Sequence, residues 1–197
     1  MTSKTALATL DLLWEALSPL GHPMAVMGGI SLAAWNYIRA TRDVDMLIGI
    51  DAPNVTPVLT ALAPLGFRPK KSSALVTVGE HHFVQLLYTP PGEFYDVQFD
   101  FLLAESELQQ SAIRRRVRRQ VRGLRHALDV LHCDDLILLK LIAGRLIDRA
   151  DIVMLLRENR DAIDLDYLRG WLTKLHLTTD FAALWAEAFA GEQSPIA

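Results

Sequence analysis

A single cysteine, Cys133, leaves no room for a disulfide framework or for a zinc or iron–sulfur site built on several thiolates. No apolar run approaches the roughly 18 residues that a membrane span requires. Aromatic residues make up only 8% of the chain, and none is interleaved with its arginine-rich stretch, which argues against base stacking on a single strand. Neither a P-loop nor a Ser–His–Asp pattern is present. The six histidines form no metal-ligand spacing with Cys133. The opening segment, MTSKTALATLDLLWEAL, carries Asp11 and Glu15 among its leucines, unlike a signal peptide. The expectation is a cytoplasmic protein without a membrane partner.

What is present suffices for a sizeable core. The chain has 197 residues, 51% of them hydrophobic, enough for one large domain or two small ones and too apolar for disorder. Its net charge of -3 conceals an asymmetry. Residues 112–125 (AIRRRVRRQVRGLR) hold seven arginines and no acid, leaving 13 basic and 23 acidic side chains in the other 183 residues. A local anionic partner on an otherwise acidic body is the natural reading.

The pattern along the chain predicts a helix over residues 5–17, a strand over Met24–Met27 and a Gly28-Gly29 turn opening a helix over Ile30–Tyr37. A strand over Asp43–Ile48 and a helix from Pro53 to Gly66 follow. Ala74–Val78, Val84–Tyr88 and Tyr95–Leu102 read as strands. Beyond Ser106 come a helix to about Arg116, a short strand over Leu128–Leu131 and mostly helix to the end. Cys133-Asp134-Asp135 resembles a cap for a helix starting near Leu136. The four tryptophans fall on apolar helical faces and read as core. The fold class is α+β (α/β-type), a small mixed or antiparallel sheet with a C-terminal helical region. The domain plan is a core over 1–110 and a basic segment plus mainly helical region over 111–197.

Two aspartates sit where aspartate is depleted. Asp43 and Asp45 stand at i and i+2 of an otherwise apolar strand, so both project to one side. Like charges so close repel unless a cation compensates them. Mg²⁺ (or Mn²⁺) does so with one or two carboxylates plus phosphate oxygens. In YDVQFDFL, Asp96, Gln98 and Asp100 share a face, and with that strand beside Asp43–Ile48 three carboxylates converge, as phosphoryl or nucleotidyl transfer requires. Asp96 reads as a neighbour or a solvated group. Gly28 and Gly29 let backbone amides approach a phosphate, and Ser31 can offer it a hydroxyl.

The stretch MGGISLAAWNYIRATRDVDMLI resembles the signature of the polymerase-β-type nucleotidyltransferase superfamily, with 13 residues between Gly29 and Asp43. Within it, RATRDVD (Arg39–Asp45) is most similar to the AbiEii-type nucleotidyltransferases of bacterial type IV toxin–antitoxin systems. FDFLLAESEL resembles the strand carrying their third acidic residue, which falls on Asp100. DDLILLKLIAGRLIDRADIVMLL resembles their helical segment, matching Lys140, Arg145, Asp148 and Asp151. The resemblance implies that Gly28, Gly29 and Ser31 hold the triphosphate of an NTP. It implies that Asp43, Asp45 and Asp100 bind the metal and carry catalysis, and that Lys140 and Asp151 belong to the nucleotide site. An antitoxin protein is the implied partner.

At helical spacing, Arg114, Arg115, Arg118, Arg122 and Arg125 cover one face and Ile113, Val117, Val121 and Leu124 the other. An amphipathic basic helix of this kind suits a tRNA or RNA backbone. The leading expectation is a Mg²⁺-dependent transfer of an NMP from an NTP to a hydroxyl on tRNA, protein or a small molecule. The alternatives are a catalytically idle nucleotide- or RNA-binding module and an antitoxin-like protein-binding partner on the same fold.

Overall fold

The computed structural model describes residues 4–196. The chain separates into two compact units. One comprises the described residues up to Ala34 together with Ile38–Leu131, and the other Trp35–Tyr37 with the described residues from His132 onward.

In the first unit, helix α1 (Lys4–Leu17) buries Leu10, Leu13 and Leu17, spaced three and four residues apart, against a mixed sheet. Strand β1 (Met24–Met27) runs directly into the short helix α2 (Gly28–Leu32). Strand β2 (Val44–Ile48), helix α3 (Thr56–Leu62) and strands β3 (Arg68–Pro69), β4 (Leu75–Val78), β5 (His81–Tyr88) and β6 (Val97–Leu103) follow. Helix α4 (Glu107–Arg114) and strands β7 (Val117–Arg119) and β8 (Leu128–Val130) complete the unit. The spatial order is β3-β5-β6-β2-β1-β8-β7, with β4 also on β5. At its centre β1 is antiparallel to β2, and β2 is parallel to β6.

Alternation along the central strands fixes what each face carries. Met24, Val26, Val44, Met46, Ile48, Phe99 and Phe101 enter the core beneath α1 and α3, with Val58 and Leu62 of α3. The intervening positions place Asp45 in β2, Gln98 and Asp100 in β6 and Gln85 in β5 on the opposite face.

The second unit is helical: α5 (Cys133–Ala143), α6 (Leu146–Asn159), α7 (Leu165–Lys174) and α8 (Thr178–Ala188). Leu136, Ile137, Leu155, Leu168, Leu172, Phe181 and Leu184 are buried. Asn159 donates from Nδ2 to the Trp35 carbonyl at 2.9 Å, which ties the 35–37 segment to this unit.

Several boundaries differ from the sequence pattern. The helix expected over Ile30–Tyr37 is α2 plus a single 3₁₀ turn, and the chain leaves it at Asn36 with φ of 62°. α5 begins three residues before Leu136, and its cap is His132, whose Nδ1 accepts from the Asp134 amide at 3.5 Å. The basic helical face expected over 112–125 does not form. α4 stops at Arg114 and the arginines continue into β7, which pairs Val117 with Val130 and Arg119 with Leu128. Asp129 in β8 supplies the reason, accepting from Arg116 Nε at 3.1 Å and Arg118 Nη1 at 3.4 Å across the strand pair. Because β7 and β8 extend the sheet, the division between units falls after Leu131, where the pattern suggested residue 110.

Candidate active site

The register of three strands builds the site. Met27, the last residue of β1, pairs with Asp45, and Asp45 pairs with Asp100 across the parallel β2–β6 ladder. Neighbouring strands lie about 4.8 Å apart, so the two carboxylates leave adjacent positions on one face. The chain leaving β1 passes over this same end of the sheet as Gly28 and Gly29.

Both glycines are required by contact. Gly28 has φ of +64°, and a Cβ there would stand 1.9 Å from Asp45 Oδ2. A Cβ on Gly29 would meet Thr41 Cβ at 2.7 Å and Oγ1 at 2.9 Å. The bare backbone of the turn therefore rests on the carboxylate of Asp45 and the side chain of Thr41. Ser31, fully buried, donates from Oγ to the Gly28 carbonyl at 2.9 Å and braces the turn from inside.

Asp100 is held by two neutral amides. Gln85 Nε2 donates to Oδ1 at 3.0 Å and Gln98 Nε2 to Oδ2 at 2.6 Å. Gln98 Oε1 in turn accepts from Lys70 Nζ at 2.6 Å. Asp43 lies exposed one residue ahead of β2, and its carbonyl accepts from Thr41 Oγ1 at 3.3 Å. Among the described residues no group of three or more His, Cys, Asp or Glu side chains is gathered closely enough to hold a metal ion. The register thus brings Asp45 and Asp100 together, with Asp43 at the entrance to the same strand.

These residues fit a hard divalent cation. The donor set is carboxylate oxygen, which Mg²⁺ prefers, and two carboxylates leave the remaining positions to water and phosphate. A glycine at 28 leaves open the space beside Asp45 that any side chain would fill.

Asp96 belongs to a different arrangement. Hydrogen bonds from Arg68 and Thr89, at 2.7 and 2.6 Å, hold its carboxyl below the usual carboxylate range. Gln85 and Lys70 carry no motif of their own, whereas Thr41 lies within RATRDVD and Gln98 on the strand face of Asp100. The places of Gln85 and Lys70 depend on strand pairing, which a local period does not show.

Lys140 and Asp151 lie in the second unit. Lys140 is only 6% exposed, and its Nζ donates to Asp148 Oδ1 at 3.0 Å and Asp151 Oδ2 at 2.7 Å. Gly144, at φ of 64°, separates α5 from α6 and folds the two aspartates back onto the lysine. Burial alone would push the Asp148 carboxyl up, but hydrogen bonds and charge from Arg145 and Lys140 hold it below its ordinary value.

The arginine segment is partly neutralised. Arg116 and Arg118 pair with Asp129, and Arg125 reaches the buried Asp11 at 3.5 Å and Glu15 at 3.3 Å. Arg114 and Arg122 are exposed. A cleft of about 710 Å³ opens at the far ends of β2 and β6, lined in part by His22, Asp51, Glu105 and Arg114. No helix among the described residues is long and apolar enough to cross a membrane.

No protein-family pattern matches the sequence, and no curated protein does. Solved structures do match. A nucleotidyltransferase-like protein from Paracoccidioides brasiliensis aligns over 96% of this chain and 98% of its own, with a TM-score of 0.55 and 18% identity. ANT(2″)-Ia, solved in complex with adenylyl-2″-tobramycin, aligns over 90% of this chain and 99% of its own at TM-score 0.58 and 12% identity. JHP933 from Helicobacter pylori aligns over 95% of this chain and 83% of its own at TM-score 0.53 and 15% identity. With its mixed sheet and C-terminal helices, the chain has the fold of nucleotidyltransferases.

Proposed function

We propose that this protein is a nucleotidyltransferase that moves an NMP from an NTP to a hydroxyl-bearing acceptor. The observation that carries the reading is the pairing of Asp45 with Asp100 beneath a glycine turn that tolerates no side chain over Asp45.

The residues divide the work as follows. The amides of Gly28 and Gly29 cradle the phosphates, and Ser31 keeps that turn rigid by bonding the Gly28 carbonyl. Asp45 and Asp100 would hold the cation, with Asp43, exposed two residues ahead of Asp45, as the third acidic residue of this reading. When bound, Mg²⁺ supplies charge neutralisation of the triphosphate and lowers the pKa of the acceptor hydroxyl. Both oxygens of Asp100 already accept amide hydrogen bonds, which fix the direction of the carboxylate. A carboxylate oriented in this way suits cation holding. The acceptor oxygen attacks the α-phosphorus in line, its proton leaves to solvent, and the bond to pyrophosphate breaks. Lys140, whose ammonium donates to Asp148 and Asp151, and Asp151 itself are the residues of the helical unit that this reading assigns to the nucleotide.

The RATRDVD segment and the position of Asp100 support an AbiEii-type member, with an antitoxin protein as partner and tRNA as acceptor. Exposed Arg114 and Arg122 are the arginines best placed to meet an RNA backbone. The fold shared with ANT(2″)-Ia, solved in complex with adenylyl-2″-tobramycin, keeps small-molecule acceptors in the test. Each α-labelled NTP is incubated with Mg²⁺ or Mn²⁺ and with tRNA, protein and small-molecule pools. Label should enter one pool and vanish in the Asp43→Ala, Asp45→Ala double variant. No label in any pool, or equal labelling by the variant, would sink the enzyme reading.

A further inference from the structure

We propose that Gln85 and Gln98 form a two-amide clamp that orients Asp100 toward the cation, with Lys70 fixing the direction of the Gln98 amide. The inference rests on the nucleotidyltransferase reading and adds three positioning residues to it.

A carboxylate has about four lone-pair positions, two on each oxygen. Gln85 takes one on Oδ1, at 3.0 Å, and Gln98 takes one on Oδ2, at 2.6 Å. One lone pair on each oxygen is left for an ion or its water. A short carboxylate with a single donor could rotate about its terminal bond, whereas one gripped on both oxygens from neighbouring positions of β5 and β6 cannot do so without breaking a bond. An amide can also turn end for end, presenting oxygen where nitrogen stood. Lys70 prevents this in Gln98: its ammonium has donors only, so it holds Oε1 at 2.6 Å and turns the NH₂ group toward Asp100.

The choice of neutral donors has a physical consequence. Asp45 and Asp100 occupy paired register positions, and their like charges repel. An arginine or lysine on Asp100 would relieve that repulsion, but it would also compete with a divalent cation for the same oxygens. Amides hold the carboxylate's direction without adding a charge of their own. The positive charge of Lys70 is kept one residue away, on the oxygen end of Gln98. Groups that orient metal-binding side chains in this way typically contribute 10–100-fold to metal affinity.

Mn²⁺ binding, followed by electron paramagnetic resonance in the presence of a non-hydrolysable NTP analogue, tests the clamp without turnover. Gln98→Leu and Gln85→Leu should each weaken Mn²⁺ binding about tenfold. Lys70→Met should weaken it less than Gln98→Leu, and Lys70→Arg should restore it. Melting temperatures without metal should stay close to the parent, since a merely structural role would lower them and leave affinity alone. Unchanged Mn²⁺ affinity in both glutamine variants, with affinity lost in Asp45→Asn and Asp100→Asn, would overturn the clamp and leave the site intact. A parent protein that binds no Mn²⁺ with nucleotide would overturn the site and the clamp together.

Discussion

The Asp45 carboxylate fills the space that a β-carbon on Gly28 would need: a methyl group there would lie 1.9 Å from Asp45 Oδ2 and 2.6 Å from its Cγ. Gly28 also sits at φ of +64°, where a side chain costs about 1 kcal/mol or more. Gly28→Ala should therefore displace Asp45 as well as strain the turn. Transfer is expected to fall about a hundredfold or more, from the misplacement of a reacting group. The loss in stability should remain about 1–3 kcal/mol, measured by chemical denaturation. Full activity in the alanine variant would show that the turn does not press on the carboxylate.

Asp45 and Asp100 give a sharper test of chemistry against folding. Each carboxylate stands beside the other on adjacent strands, so neutralising one removes a repulsion as well as a ligand. Asp45→Asn should abolish detectable transfer while leaving the melting temperature of the metal-free protein at or above that of the parent. A large drop in melting temperature would instead assign Asp45 a structural role.

The sequence made the centre of this arrangement legible and its surroundings opaque. Alternation in DVDMLI and FDFLL placed Asp45 and Asp100 on one face of their strands, because a period of two depends only on local backbone geometry. That β2 and β6 lie side by side, in register, is a long-range fact. So is the grip of Gln85 on Asp100, which comes from a strand 15 residues away. The arginine run shows the opposite failure. Ile113, Val121 and Leu124 are buried as their spacing suggested, but the pairing of β7 with β8 and the pull of Asp129 override a helical period. A short strand whose partner lies eleven residues ahead leaves too few residues for its own period to appear.

Cys133 opens α5 fully buried, beside Asp134 and Asp135. Burial first, and then the two neighbouring carboxylates, push its thiol far above the ordinary range. Only the thiolate reacts with alkylating reagents. Native protein at pH 8 should therefore take up iodoacetamide far more slowly than a free thiol, and unfolded protein should react at the ordinary rate. Rapid modification of the folded chain would contradict this burial.

The Lys140 network predicts how the protein responds to acid. Asp148 has a folded pKa below its ordinary value of 3.8, because Arg145 and Lys140 offset the penalty of burial. A carboxyl depressed in the folded state binds its proton more readily when unfolded. Its stabilisation is therefore complete above the unfolded value and lost as pH falls through the folded one. As pH falls below about 4 the parent should lose stability, and Asp148→Asn should flatten that part of the profile. Lys140→Met is the harsher change, since it takes a buried ammonium away from two buried carboxylates and should cost about 3–5 kcal/mol by urea denaturation at pH 7. Adding Asp148→Asn and Asp151→Asn to Lys140→Met should recover part of this loss, because the buried negative charges that faced the ammonium are gone. If the triple variant is as unstable as Lys140→Met alone, packing of the lysine stem rather than its charge holds α5 to α6.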